Sequence, residues 1–144
     1  MEFHHVTGAA GLAYGQGDGR REFASQPLPG VLASLRAQVQ EHLDCVFENV
    51  SANHYRHGGD HVGWHADDGP TMCNSRPIAV LSLGAKRSFA YRHREERGPG
   101  TVLSVESGDL LVMPAGMQQT HVHKLLKANT PLQRICVVFR GIRS

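Results

Sequence analysis

The chain has 144 residues and carries 15 Lys+Arg against 13 Asp+Glu. This length suffices for one domain with a proper core, and the near balance of charge takes away any bulk-charge argument for a nucleic-acid binder. No stretch reads as an apolar membrane span, the N-terminus lacks a signal-peptide pattern, and Cys45, Cys73 and Cys136 form no CxxC pair, so neither a disulfide framework nor a thiolate zinc site is indicated.

The expectation is therefore an intracellular, reduced monomer, in the nucleus or the cytoplasm. Residues 1–26 are glycine-rich and weakly patterned and read as a loop or ragged hairpin. Gly15, Gly17 and Gly19 alternate, but no apolar strand leads in and no helix leads out, so a phosphate-binding loop is not expected. From Pro27 to Leu43 the apolar residues Leu28, Val31, Leu32, Leu35, Val39 and Leu43 recur at three- and four-residue steps. That stripe predicts a helix propped against the outside of a sheet, with Pro29 in its first turn.

After the helix, strands dominate. The pattern predicts strands at Cys45 to Val50, His61 to His65, Ile78 to Leu83, Ser88 to Arg92 and Thr101 to Val105. Further strands follow at Leu110 to Met113, Thr120 to Leu125 and Arg134 to Arg140. Turn signals separate them at Gly58-Gly59, Gly84, Gly98-Pro99-Gly100 and Ser107-Gly108-Asp109. Short strands with one supporting helix and no βαβ rhythm predict a mainly β fold, a sandwich or jelly roll. Arg87, Arg92, His93, Arg94 and Arg97 form a basic run broken by Glu95 and Glu96. Such a run can hold phosphates, and its plainer reading is a solvated face.

The chemistry concentrates between Asn53 and Asp67. His65 and Asp67 are two apart, so on extended backbone both point to one side and can reach one metal ion. A distant His would complete a 2-His-1-carboxylate set, which holds Fe(II) on three corners and leaves three open. His121 and His123 both qualify by spacing. They face the same way on a regular strand, so geometry leaves the choice between them open. Asn53 and Tyr55 share the spacing of two. Arg134 and Arg140 are six apart, which places both on one face of the last strand, with Ile135, Val137 and Phe139 on the other. Two guanidiniums inside a small sandwich are costly without anionic partners, and a diacid such as 2-oxoglutarate would answer that cost.

The ordered set Asn-x-Tyr, His-x-Asp, late His and Arg-x5-Arg resembles the AlkB family of Fe(II)/2-oxoglutarate dioxygenases, in its eukaryotic branch acting on alkylated nucleic acid. The resemblance runs from about Leu43 to Ile142 and includes Asp60-His61-Val62-Gly63-Trp64-His65-Ala66-Asp67-Asp68, Pro77-Ile78-Ala79-Val80-Leu81-Ser82-Leu83-Gly84 and Arg134-Ile135-Cys136-Val137-Val138-Phe139-Arg140. It implies a double-stranded β-helix, with residues 1–26 as an abbreviated substrate lid and 27–144 as helix plus jelly-roll core of a single domain. It implies His65, Asp67 and His123 as catalytic iron ligands, with His123 chosen over His121 by its place in the family pattern. Arg134 and the Tyr55 hydroxyl would take the remote carboxylate of 2-oxoglutarate, and Asn53 and Arg140 would lie around its other end.

The implied cofactors are Fe(II), 2-oxoglutarate and O2, and the implied reaction is oxidative demethylation of N-alkylated bases in DNA or RNA. Asp68 and Tyr14 would fall on the substrate side. The sequence departs from the family where Gln16 replaces a stacking aromatic, where Cys136 and Val138 replace polar residues, and where no Pro follows His123. Two other readings keep the fold: the same oxygenase acting on a protein side chain or small molecule, and a non-catalytic jelly-roll module binding nucleic acid.

Overall fold

A computed structural model describes residues 26–143 in full and the backbone of residues 2–7, 12–14 and 21–23. Along the chain these form strands β1 (Glu2–Thr7), β2 (Leu12–Tyr14) and β3 (Arg21–Phe23), helix α1 (Gly30–Leu43), and strands β4 (Asn49–Tyr55) and β5 (Val62–His65). Then come β6 (Ile78–Gly84), β7 (Arg87–His93), β8 (Thr101–Val105), β9 (Leu110–Met113), a helical turn α2 (Met117–Thr120), β10 (His121–Leu125) and β11 (Arg134–Arg140). One sheet has the order β1-β4-β11-β6-β9 and a second the order β5-β10-β7-β8, all pairs antiparallel. This is the jelly roll that the strand pattern predicts.

Two apolar layers hold it together. Between the sheets lie Tyr55, Ile78, Met113, Cys136 and Val138 from the first sheet and Phe89, Val105 and Leu125 from the second. On the outer face of the first sheet, Val50, Ala79, Val137 and Phe139 pack with Phe47 against Val39 and the half-buried Leu32, Leu35 and Leu43 of α1. Strand β11 feeds both layers because its alternate residues face opposite ways. Burial of side chains this size stabilises by roughly 1.5–3 kcal/mol each, so α1 is fixed by its stripe rather than by capping.

The segments that differ from expectation have local causes. Helix α1 begins at Gly30 rather than at Pro27, because a residue before proline (Leu28 before Pro29) is kept out of the helical region; Pro29 serves as the cap, its carbonyl accepting from Ala33 N–H. The strand predicted at Cys45 to Val50 starts only at Asn49. The main chain before it bonds side chains instead of a ladder, with Phe47 N–H donating to Gln40 Oε1 and Val46 carbonyl accepting from Arg76. Residues 1–26 contain more than a hairpin: β2 pairs with β3, while β1 adds an outer strand to the first sheet along β4. Gly84 at φ 93° makes the β6–β7 turn, and a Cβ there would lie 2.6 Å from the Gln133 carbonyl oxygen.

Arg76 clasps the β11 exit. It bonds Glu48 at 2.8 Å and the carbonyls of Val46 and Ile142. Burial alone raises the Glu48 carboxyl, but Arg76 and the Ile142 N–H outweigh it and hold it below its ordinary value. A depressed folded-state value means stability that is present above the unfolded value of about 4.5 and lost as pH falls through the folded one. Glu48→Gln should therefore cost about 1 kcal/mol at pH 7, discounted for its partial exposure. The variant should also lose less stability than the parent below pH ~4.5, read by urea denaturation across pH.

Candidate active site

The last residue of β5, His65, stands directly opposite His123 on β10, and the β5–β10 register shifts just beyond that pair. Their rings lie 4.3 Å apart, centroid to centroid. Asp67, two residues past His65, brings its carboxylate to the same point. One ligand atom from each of His65, Asp67 and His123 lies within 4.8 Å of the others, an arrangement that can hold a metal ion. His121 stays out for a reason of register: it stands opposite His93, its ring edge-on to that residue, with Nδ1 against Thr120 Oγ1 at 2.7 Å.

The surroundings prepare each donor. Nδ1 of His65 lies 2.8 Å from the Gly63 carbonyl, which can only accept. That nitrogen therefore carries the proton, and Nε2 keeps a lone pair for a metal. His123 is buried and stacked on Phe89. Burial pushes it down to about 4 against the pull of Asp67, so its imidazole is neutral at pH 7, as ligation requires. Burial alone would raise the Asp67 carboxyl, yet Arg140, His123 and His65 hold it well below the usual carboxylate range. Arg140 donates to Asp67 Oδ2 from Nε at 3.1 Å and Nη2 at 2.9 Å, and Nη1 donates to Ser51. Oδ1 remains turned to His65 Nε2, 3.8 Å away.

A second polar group lies along β4 and β11. Arg134 is buried opposite Tyr55, its guanidinium 5.2 Å from the ring centroid. It donates from Nη2 to Ser82 at 2.9 Å, while its Nε has no hydrogen-bond partner among the described residues. Burial raises the Tyr55 hydroxyl well above its ordinary value, so it remains an O–H donor. Asn53, on the same face, reaches the Cys136 sulfur at 3.6 Å. A buried guanidinium with an unused donor beside a phenol fits one carboxylate of a diacid.

The other sequence candidates fall as follows. Asp68 is paired with Arg94 at 2.6 Å. Tyr14 lies in β2, but its side chain, like Gln16, is outside the described residues. The basic run is not one solvated face. Arg87 is buried at 2 % exposure, Arg92 stacks on Trp64 at 4.2 Å, and Arg94 holds Asp68. Three contributors were not singled out from the sequence. Ser51 extends the Asn53–Tyr55 alternation by one step and could have been found that way. Ser82 supports Arg134 from β6. Gln118 on α2 accepts from the Asp67 N–H at 2.9 Å and donates to the Met113 sulfur, and no spacing signal announces it.

A jelly roll with His-x-Asp and a late His converging between its sheets, and buried arginines beside them, defines a class: mononuclear iron oxygenases using a 2-oxo acid. The sequence matches a family profile described as the 2OG-Fe(II) oxygenase superfamily over residues 2–140, and the chain belongs to that superfamily. A dioxygenase of this superfamily works with Fe(II), 2-oxoglutarate and O2. The chain is similar to the alpha-ketoglutarate-dependent dioxygenase alkB homolog 3 of Mus musculus, 32% identical over 121 residues, covering 78% of this chain and 42% of that protein. It is similar to the DNA oxidative demethylase ALKBH2 of Mus musculus, 33% identical over 125 residues, covering 81% and 52%. The chain thus spans about half the length of these relatives. In fold it resembles a solved structure titled "The structure of OsALKBH1", with TM-score 0.59 and 18% identity over 86% of this chain and 67% of that one.

Gln118, buried on α2, offers a test of this geometry. Gln118→Ala strands the partly buried Asp67 N–H, a loss of about 1 kcal/mol, and the urea midpoint should fall accordingly.

Proposed function

We propose that this chain is an AlkB-like dioxygenase that oxidatively demethylates N-alkylated bases in DNA or RNA, releasing formaldehyde and succinate. The single observation that carries the reading is the cluster of His65, Asp67 and His123 ligand atoms, tied by Arg140 to the same inner face of β4 and β11 that carries buried Arg134 and Tyr55. The similarity to a protein named a DNA oxidative demethylase supports the substrate class.

In this reading His65 Nε2, Asp67 Oδ1 and a ring nitrogen of His123 hold iron. When bound, Fe(II) with 2-oxoglutarate and O2 supplies the oxidation of a substrate C–H bond, and the diacid leaves as succinate and CO2. Arg134 and the Tyr55 O–H take the remote carboxylate. Asn53 lies towards the other end of the cosubstrate. Arg140 serves that end through Asp67, orienting the carboxylate by a bidentate contact to Oδ2 so that Oδ1 is left for the metal. Asp68 and Tyr14 fall to the substrate, with Arg94 setting the position of the Asp68 carboxylate. A base must already be unpaired or be extruded from its stack to reach such a site.

The test is turnover of methylated DNA and RNA oligonucleotides and methyl-lysine peptides with Fe(II), ascorbate and 2-oxoglutarate, reading formaldehyde and succinate. Formaldehyde from the oligonucleotides supports the proposal; turnover of the peptides alone would move the substrate to protein. Asp67→Ala and His123→Ala should each abolish activity and iron retention, whereas His121→Ala should retain iron. Arg134→Ala should raise the 2-oxoglutarate KM at least about tenfold, since a charge-assisted contact is worth roughly 1.5–3 kcal/mol.

A further inference from the structure

Arg87 opens β7 on the face turned into the core, opposite Val105. It is among the least exposed large side chains, at 2 %. Its Nη2 donates to the carbonyls of Asp60 at 2.7 Å and Leu126 at 2.6 Å, with Gly58 at 3.4 Å. Guanidinium carries five N–H donors. The remaining three, one on Nε and two on Nη1, have no hydrogen-bond partner among the described residues.

This side chain is not alone. The Arg87 guanidinium lies 5.6 Å from the Tyr55 ring centroid and that of Arg134 lies 5.2 Å from the same centroid. Two buried cations thus share one aromatic ring, and Arg134 adds its own donor without a partner, Nε. Burial first, and the neighbouring Arg134 charge second, draw Arg87 below the usual arginine value. Asp60 is the carboxylate that bears on Arg87, but both of its oxygens are engaged by Arg56 at 2.8 and 2.9 Å. An arginine cannot shed its proton to escape this position. Buried charge of one sign with unused donors calls for an anion of the other.

We propose that Arg87 is a second anion-binding arginine of the site, forming with Arg134 and Tyr55 a two-guanidinium basin for the remote carboxylate of 2-oxoglutarate. The inference rests on the reading that Arg134 and Tyr55 take that carboxylate, and adds to it a residue on the opposite sheet. Arg87 then joins cosubstrate recognition to the backbone at Gly58, Asp60 and Leu126, segments that lead into β5 and out of β10.

The experiment compares two ligands by calorimetry on protein loaded with Mn(II) in place of iron, without turnover. One is 2-oxoglutarate. The other is 2-oxopentanoate, which has the same chain length and lacks the remote carboxylate. The parent should prefer 2-oxoglutarate by about a hundredfold or more, two charge-assisted contacts each contributing about tenfold. Arg87→Met should weaken 2-oxoglutarate by about tenfold or more and leave 2-oxopentanoate within about threefold. Should the Met variant fail to fold, Arg87→Lys is measured on the same pair; it keeps a point charge but loses the fork, and the preference should still fall several-fold. An equal loss for both ligands overturns the proposal and makes Arg87 a tie for the loops. An unchanged preference overturns it as well. Failure of the underlying reading looks different: the parent itself would not distinguish the two acids, or Arg134→Met would leave the preference intact.

Discussion

The contact on which the site depends is the ion pair between Asp67 and Arg140. Asp67 follows a strand of one sheet and Arg140 ends a strand of the other, so the pair joins the two layers at the candidate ligand set. It also divides the carboxylate. Arg140 takes Oδ2 by two nitrogens, and Oδ1 is left towards His65. Burial alone would raise such a carboxyl and favour its protonated form. The arginine keeps it charged and fixes which oxygen is available. Ser51 and Gln118 then hold the two partners of the pair from β4 and α2.

The same constraint explains the composition of the central strands. In β11 the residues towards α1, Val137 and Phe139, are apolar and buried. Those towards the second sheet are Arg134, Cys136, Val138 and Arg140, and β4 answers with Ser51, Asn53 and Tyr55. Arg134 and Arg140 stand at the ends of this inner row, while Cys136 and Val138 fill the middle with apolar contact. Charge is thereby kept at two separated points, one beside the ligand set and one beside Tyr55.

Much of this was legible as parity. Period-two spacing put Asn53 with Tyr55, His65 with Asp67, and Arg134 with Arg140 on shared faces, and the structure brings each pair where the alternation sends it. Parity could not choose between His121 and His123. That choice depends on inter-strand register, because His123 stands opposite His65 and His121 opposite His93, and one chain read in order contains no register. Nor could spacing find Gln118, which reaches Asp67 from a single helical turn made by Gly116 at φ 81°. The reading of residues 45–48 as strand failed because Gln40 and Arg76 side chains take main-chain groups that a ladder would have used.

The basic run on β7 shows how the pleat redistributes charge that looks continuous in sequence. Arg87 points between the sheets to Tyr55, Arg92 points outward onto Trp64 together with Lys124 at 4.6 Å, and Arg94 closes on Asp68 past the strand end. Three of the run's four arginines thus have assigned work within the protein. A strip of free cations would make affinity for a polyanion steeply dependent on salt. With these three engaged, fewer phosphate contacts remain for this edge to offer.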